Sequence, residues 1–514
     1  MTSGIHHLTL ITRDVQANVD FYAGFLGLRL VKQTGGYEDA EQLHLFYGDR
    51  LGTPGSLITF LVWQDGSPGR VGHGQVSEIA LAVPPASIGF WLTRALTRQV
   101  PIEGPRQEFG EPVLRVRDPD GVVVKLVGTE MPAAAPWASP GIEPGDAVLR
   151  LRGATILSET PEETAHFIGR FGYEAVAKAD GVQRLVSESG DVVDVREAAG
   201  FWPGAPGTGM ADHVAFRAQD VEAVIAAEAS LARLNSSITN RHDRKYFTSL
   251  YVREPGGTLI ELATDGPGFT IDESEQELGA TLMVPPSDTA RAEAIRVMLP
   301  QFALPGEPRP TYRDLPFVHR FHVPAEDDGS TLVLLHGTGG NEADLMPLAH
   351  RVAPQATLLG LRGRSTEEGT ARWFRRFGEG KFDQGDIRAE AAAFAAFVEE
   401  ASRAYGLDPA RTTWLGYSNG ANFLAAAMRL HPDLIRRTVL LRPVDVLEEQ
   451  PAADLWDSAT LIVAGEADPY APGAEALREA LRKAGGHVDL ARIDAGHALS
   501  EADAGTIKAW LAQR

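Results

Sequence analysis

At 514 residues the chain is long enough for three or four compact units of roughly 100–200 residues each, or for a fusion of two larger ones. Apolar residues make up 44% and charged residues 23%, which excludes disorder and a membrane-embedded class as starting points. A net charge of −21, from 69 acidic against 48 basic side chains, argues against nucleic acid and anionic lipid as partners, and the absence of cysteine removes disulfides, zinc ribbons, iron–sulfur clusters and thiol nucleophiles. Any metal must then sit on histidine and carboxylate. The opening MTSGIHHLTLITRD has no basic stretch followed by a long apolar run, and no apolar run approaches the ~20 residues of a membrane span, so a cytoplasmic location is expected.

In chain order, the first half repeats. Four segments start with a short apolar strand, at Ile5, Val76, Arg152 and Ala211, and pass into amphipathic stretches NVDFYAGFLG, SIGFWLTRAL, TAHFIGRF and VEAVIAAEAS. The units close on PGSLITFLVW, DPDGVVVKLV, ESGDVVDVRE and EPGGTLIELA, each a glycine turn followed by a strand. The unit is therefore βαβββ. A Pro/Ala/Gly-rich hinge at 129–147 divides the repeated half by chain order into 1–135, with modules one and two paired, and 145–300, with modules three and four paired.

Past Asp265 the pattern gives way to prolines, in MVPPSD and LPGEPRPTYRDLP, and order resumes near Phe317. From there STLVLLHG, ATLLGLRG, RTTWLGYS, TVLLRP and TLIVAGE read as strands separated by helices such as IRAEAAAFAAFVEEASRAY and ANFLAAAMRLHP. Strands alternating with helices predict a parallel sheet covered on both faces, over 316–514. The fold class expected is an α+β half of four βαβββ repeats forming cups, followed by an α/β half with a parallel sheet.

Aligned on their first strands, the repeats place His7, Glu78, Ala154 and His213 at one position; aligned on the last strand, they place Thr59, Lys125, Asp194 and Glu261 at a second. If modules one and four share a cup, it holds His7, His213 and Glu261, with Thr59. Two imidazoles and a carboxylate suit non-haem Fe(II) with positions left for substrate and oxygen. The cup of modules two and three would hold Glu78, Lys125, Ala154 and Asp194, with no imidazole, and reads as a salt-bridge cluster. His6 adjoins His7 but alternation turns it to the other face of the strand. His44, His73 and His166 read as solvated or hydrogen-bonded side chains.

With GIHHLTLITRDVQANVDFYAGFLGLRLVKQT, HLFYGDRLGTPGSLITFLVW and DRKYFTSLYVREPGGTLIELATD, residues 4–300 resemble the vicinal-oxygen-chelate superfamily and its hydroquinone ring-cleaving dioxygenases. The resemblance implies iron ligands at His7, His213 and Glu261, and groups near the bound oxygen and phenolate at Arg244, Tyr246 and Tyr251, with Thr9 also in the cup. Where family members often carry a His–His pair, this chain reads Asp212-His213. A glyoxalase-type lyase or isomerase would use the same cup with Zn, Ni or Mn, often with a second carboxylate where this chain has Thr59. A metal-free ligand-binding module is the third reading.

Gly416-Tyr417-Ser418-Asn419-Gly420 matches G-x-S-x-G between a β-branched, aromatic strand and a helix, the setting of a nucleophile elbow. Asp468 ends a later strand and His497 follows a glycine, so the order Ser, Asp, His is that of an α/β-hydrolase. LVLLHGTGGNE supplies a glycine-rich loop whose Thr338 amide, with that of Asn419, faces the oxyanion. His336 reads as loop-orienting, and Arg362, Arg375 and Arg376 as either an acid-binding wall or salt-bridged surface. Through LHGTGGNEADL, RWFRRFGEGKFD and LGYSNGAN, residues 331–514 resemble bacterial carboxylesterases of the phospholipase/carboxylesterase group.

The expectation is a bifunctional enzyme, an Fe(II)-dependent ring-cleaving dioxygenase of hydroquinone-type aromatics joined to a serine carboxylesterase. Its partners are a small aromatic substrate with O2 and an ester or acyl substrate, without nucleic acid or membrane; self-association is left open. An acyl halide hydrolyses in water without help, so the hydrolase is expected to act first, freeing a hydroquinone from an ester.

Overall fold

Each repeat opens with a strand buried along most of its length: Ile5–Thr12, Gln75–Val83, Arg150–Ser158 and Met210–Ala218. Such a strand needs partners on both edges, because a buried unpaired backbone is costly. On one edge it pairs in parallel with the last strand of its own repeat; on the other it pairs antiparallel with the first strand of a second repeat. The computed structural model describes residues 4–137, 139–232, 240–309, 315–378 and 380–513. Residue 138 of the hinge, residues 310–314 of the proline-rich boundary and residue 379 of RWFRRFGEGKFD lie outside them.

The second edge decides which repeats pair. Ile5–Thr12 joins Met210–Ala218, so modules one and four build one sheet of nine strands, with the short Leu282–Met283 at its end. Gln75–Val83 joins Arg150–Ser158, so modules two and three build a sheet of eight. This corrects the chain-order division at 135/145. Modules one and two do not pair, nor do three and four, because each first strand finds its antiparallel partner across the hinge; all four repeats lie in one unit, Met1–Ala292 with Phe302–Arg309.

The helices follow the expected periodicity. In Ile88–Thr97, Ile88, Trp91 and Ala95 are buried on one face, and the Trp91 indole donates to the Asp146 carbonyl at 3.0 Å. In the first repeat the helix Val15–Val19 passes into a π-helical turn, Asp20–Phe25, that sets Phe21 edge-on to Tyr22 and at a tilt to Phe25.

The second unit, Glu293–Gln301 with Pro310–Arg514, is an α/β-hydrolase fold. Its seven strands run in the order 319–322, 357–361, 331–335, 412–417, 437–441, 459–465 and 487–493, parallel except for the first. The unit begins earlier than residue 316: Val297 joins the core of Leu332, Leu334 and Leu358, and the Gln301 side chain bonds both ways with the Val323 backbone at 2.9 Å. The helix Gln384–Tyr405 starts at Asp383, whose carboxylate accepts from the Gly385 and Asp386 amides, and stops at Gly406 with φ 66°. The helix Asn419–Leu430 is buried on all sides, which its run of alanines permits. Among the described residues no helix is long and apolar enough to cross a membrane.

Candidate functional site

The first site forms where modules one and four meet. His7 and His213 stand on the two adjoining first strands and Glu261 on the last strand of module four, which pairs through Ala215. His7 Nε2 lies 3.2 Å from His213 Nε2 and 3.1 Å from Glu261 Oε2, and His213 Nε2 lies 2.7 Å from the same oxygen. All three side chains are buried.

Their outer atoms are already committed. His213 Nδ1 donates to Asp212 Oδ2 at 2.7 Å, and Glu261 Oε1 accepts from the Ser249 hydroxyl. His7 Nδ1 lies 2.8 Å from His6 Nδ1, and His6 is bonded in turn to the Thr264 backbone. Both imidazoles therefore turn Nε2 toward Glu261 Oε2, a buried oxygen that, among the described residues, faces no polar partner besides them. Three lone-pair donors converge on one point. Two donors bound about 2.1 Å from one ion at right angles stand about 3 Å apart, so the observed separations fit a divalent cation.

The electrostatics agree. Burial lowers the pKa of His7. At His213 burial also opposes the charge, but the Glu261 and Asp212 carboxylates outweigh it and raise the pKa to about 9. Glu261, despite its burial, is held well below the usual carboxylate range by the two imidazoles. The carboxylates thus favour positive charge at the centre, a proton on His213 Nε2 that a bound cation would replace.

His6 differs from the alternation argument. A register shift between Ile5 and His7 marks a bulge in the pairing with Met210–Ala218, so His6, although it does not line the cavity, reaches the outer nitrogen of His7. Burial pushes its pKa down to about 3, which leaves it neutral and able to accept the His7 proton.

The cluster lies on the wall of a cavity of about 410 Å³ lined by Phe46, Trp63, Phe247 and other aromatic rings, a size suited to one small aromatic ligand. Arg244 and Tyr251 both line it. The Arg244 guanidinium is 5.4 Å from the Tyr251 ring centroid and 2.8 Å from Glu38, and the Tyr251 ring is 5.4 Å from that of His213. Burial and the Glu261 charge raise the Tyr251 pKa, so the phenol keeps its proton. Tyr246 turns its hydroxyl to Asp272 at 3.0 Å rather than to the cluster. Thr9 lines the cavity and bonds Thr59 at 2.9 Å, and Thr59 bonds His44 Nε2 at 3.0 Å. His44 is thus a cavity residue that isolated-histidine reasoning passed over; burial and the neighbouring imidazoles hold its pKa near 3.

The other cup is a salt-bridge cluster. Lys125 Nζ lies 3.2 Å from Glu78 and 3.7 Å from Asp194, while Arg115 bonds Glu78 at 2.9 Å and Arg184 bonds Asp194 at 2.8 Å. The pairing Glu78↔Thr155 and Ala80↔Gly153 mirrors His7↔Ala215 and Thr9↔His213, so the position equivalent to His213 is Gly153, not Ala154. A side chain there would meet the Val192 carbonyl at 2.2 Å. Glu78→Gln is expected to leave bound metal unchanged while lowering stability by about 1–3 kcal/mol, the effect of weakening a partly buried ion-pair network. Metal analysis beside urea unfolding checks this, and bound metal halved in a folded variant would count against the choice of cup.

The second site stands at the strand end Thr412–Tyr417. Ser418 has φ 49° and ψ −114°, a strained conformation that pushes its hydroxyl out of the turn. The flanking glycines are required by space: a Cβ on Gly416 would lie 2.7 Å from the Ala421 amide, and one on Gly420 2.2 Å from the Leu335 carbonyl. Ser418 Oγ is 3.0 Å from His497 Nε2, and His497 Nδ1 is 3.0 Å from Asp468 Oδ2. Asp468 Oδ1 accepts from the Tyr470 amide at 2.9 Å, so its other oxygen is left for the imidazole. That bond places the proton on Nδ1 and the bare Nε2 opposite Ser418.

Asn419 opens a helix, where amides lack partners within the helix, and Thr338 lies on the loop after Thr331–Leu335. His336 orients that loop: its Nδ1 bonds the Gly337 carbonyl at 2.5 Å and its Nε2 accepts from Gly363 at 3.0 Å. The three arginines considered as an acid-binding wall are paired instead, Arg362 with Glu342 at 2.6 Å, Arg375 with Asp383 at 3.1 Å and Arg376 with Glu367 at 2.9 Å. Arg372, which has only a long contact of this kind, was not among them.

Residues 4–126 match the model of the glyoxalase/bleomycin resistance protein/dioxygenase superfamily. Over 60% of its length the chain is 38% identical to "Putative ring-cleaving dioxygenase MhqO" of Bacillus subtilis, covering 98% of that protein. Over 57% it is 33% identical to "Chlorohydroquinone/hydroquinone 1,2-dioxygenase" of Sphingobium indicum, covering 95% of it. A further 35% of the chain is 34% identical to "Putative hydrolase MhqD" of Bacillus subtilis and covers 92% of that protein. The chain therefore belongs to the ring-cleaving dioxygenase family of the glyoxalase superfamily, joined in one polypeptide to a domain of α/β-hydrolase fold.

Proposed function

We propose that the chain is a bifunctional enzyme that opens the ring of hydroquinone-type aromatics with O2 at a centre held by His7, His213 and Glu261, and hydrolyses an ester at Ser418. The convergence of two imidazole Nε2 atoms and a carboxylate oxygen on one point at the wall of an aromatic cavity carries the first half of this reading. Fe(II) bound there would supply electron transfer between a dihydroxylated ring and O2 at neighbouring positions.

The chain's own residues prepare that chemistry. The aromatic walls seat a flat ring and exclude water. Arg244 offers positive charge to a phenolate, and Tyr251, kept protonated, donates a hydrogen bond or a proton to an oxygen in the cup. Asp212 takes the part of the second imidazole common in the family by fixing the His213 ring, while His6 does the same for His7. Thr59, at the place of a second carboxylate, is engaged by Thr9 and His44, which favours oxygen chemistry over a glyoxalase-type reaction.

In the hydrolase, Ser418 Oγ attacks the ester carbonyl and His497 Nε2 takes its proton. Asp468 stabilises the imidazolium, and the Thr338 and Asn419 amides hold the oxyanion. Oxygen-electrode assays of protein loaded in turn with Fe(II), Mn(II), Zn(II) and Ni(II) test the dioxygenase half. Uptake with hydroquinone confined to a redox-active ion supports it; turnover of a glyoxalase-type substrate with Zn(II) or Ni(II) and no uptake with any ion contradicts it.

A further inference from the structure

Arg372 ends the short strand Thr370–Arg372 and is pinned between the two arms of the hydrolase site. The next residue, Trp373, donates its amide to the Asn419 side chain at 2.9 Å and its indole to the His336 carbonyl at 2.9 Å. Arg372 Nη1 itself donates to the Thr338 hydroxyl at 3.3 Å. The guanidinium is only 6% exposed, yet its Nε has no hydrogen-bond partner among the described residues. Its nearest ion-pair partner, Glu367, is 3.5 Å away and already bound by Arg376 at 2.9 Å.

A guanidinium taken out of water normally meets a carboxylate at close range, with its planar fork filled. Here it meets one neutral hydroxyl and the edge of a shared carboxylate. The neighbouring Arg362, Arg375 and Arg376 have closer carboxylates, so of these four Arg372 is the one with unfilled capacity, and it adjoins Thr338 of the oxyanion loop.

We infer that Arg372 binds a carboxylate on the substrate of Ser418, so that the hydrolase takes hemiesters, molecules with one ester and one free acid group. This rests on the hydrolase reading above. One class of reaction produces such a molecule from a hydroquinone: ring opening between a hydroxyl-bearing carbon and an adjacent alkoxy-bearing carbon. Both atoms of O2 are added and nothing leaves; the hydroxyl carbon becomes the carboxylate and the alkoxy carbon the ester carbonyl of an unsaturated six-carbon chain. Ser418 Oγ then bonds to that carbonyl, its proton passes through His497 Nε2 to the departing alcohol, and water releases the acyl group as a second carboxylate. The hydrolase acts second, the reverse of the order expected from sequence, because a hydroquinone ester carries no acid group for Arg372.

Hydrolysis of monomethyl adipate and dimethyl adipate by the full chain tests this, with Arg372→Met and Arg372→Lys compared by circular dichroism for folding. The preference for the hemiester, as a ratio of kcat/KM values, is expected to fall about 10- to 100-fold in Arg372→Met, mainly through KM of the hemiester, and less in Arg372→Lys. An unchanged ratio, or equal losses on both esters, overturns the proposal. Failure of the unmodified chain to hydrolyse either ester or to react at Ser418 with a fluorophosphonate overturns the hydrolase reading instead. Calorimetric binding of adipate to the unmodified chain but not to Arg372→Met would still support the carboxylate site, and its absence would remove it.

Discussion

His213→Ala is expected to bring bound iron from about one per chain to background and oxygen uptake with hydroquinone down by at least about a hundredfold, while hydrolysis of an aryl ester persists. The loss exceeds the 10- to 100-fold effect of removing an outer partner of a ligand, because a ligand itself is removed. His213 stands within 3.2 Å of both other donors, so its removal opens one corner of the cluster and leaves Glu261 buried beside a single imidazole. The hydrolase has its own sheet and core, which the substitution does not touch. Iron analysis and the two assays are run on one preparation. Full iron and normal uptake in the variant would show that the pairing of modules one and four does not make the centre.

Ser418→Ala reverses the pattern. Ester hydrolysis is expected to fall by about 10³-fold or more, to whatever the Thr338 and Asn419 amides supply alone, and oxygen uptake to persist. The serine is held 3.0 Å from the only base in the chain Ser418–His497–Asp468, and alanine has no atom for that base to activate. Aryl ester turnover and fluorophosphonate labelling read the loss. Retained hydrolysis at more than about a tenth of the original rate would place the nucleophile elsewhere.

What could be read in the amino-acid order follows from the reach of each signal. The repeat period is carried by whole strands and helices, so aligning the modules on themselves brought His7, His213 and Glu261 together. One-residue features were beyond it. The bulge between Ile5 and His7 turns His6 behind His7, and the register of module three puts Gly153, not Ala154, at the cup position. Strict alternation predicts neither. Pairing across the hinge escaped the chain-order division because the partner strands, 206 residues apart at His7 and His213, are joined by long-range contacts, while the hinge composition is local.

In the second unit the elbow was legible because its two glycines and its strand–helix setting are sterically required. The edge strands His319–His322 and His487–Ile493 were not, since polar residues break their apolar runs. Arg372 was also hidden. A sequence shows several cations near the loop but not which of them have carboxylates within reach, and that difference separates Arg372 from Arg362, Arg375 and Arg376.

The convergent His7, His213 and Glu261 donors are proposed to serve oxidative ring opening. Mass spectrometry of the product from hydroquinone and ¹⁸O2, with iron-loaded protein under anaerobic handling before oxygen is admitted, tests it most directly. The predicted result is one O2 consumed per ring and an open-chain acid carrying both labelled atoms at the moment of formation. Oxygen uptake that ends in unlabelled benzoquinone, with the ring intact, would contradict it.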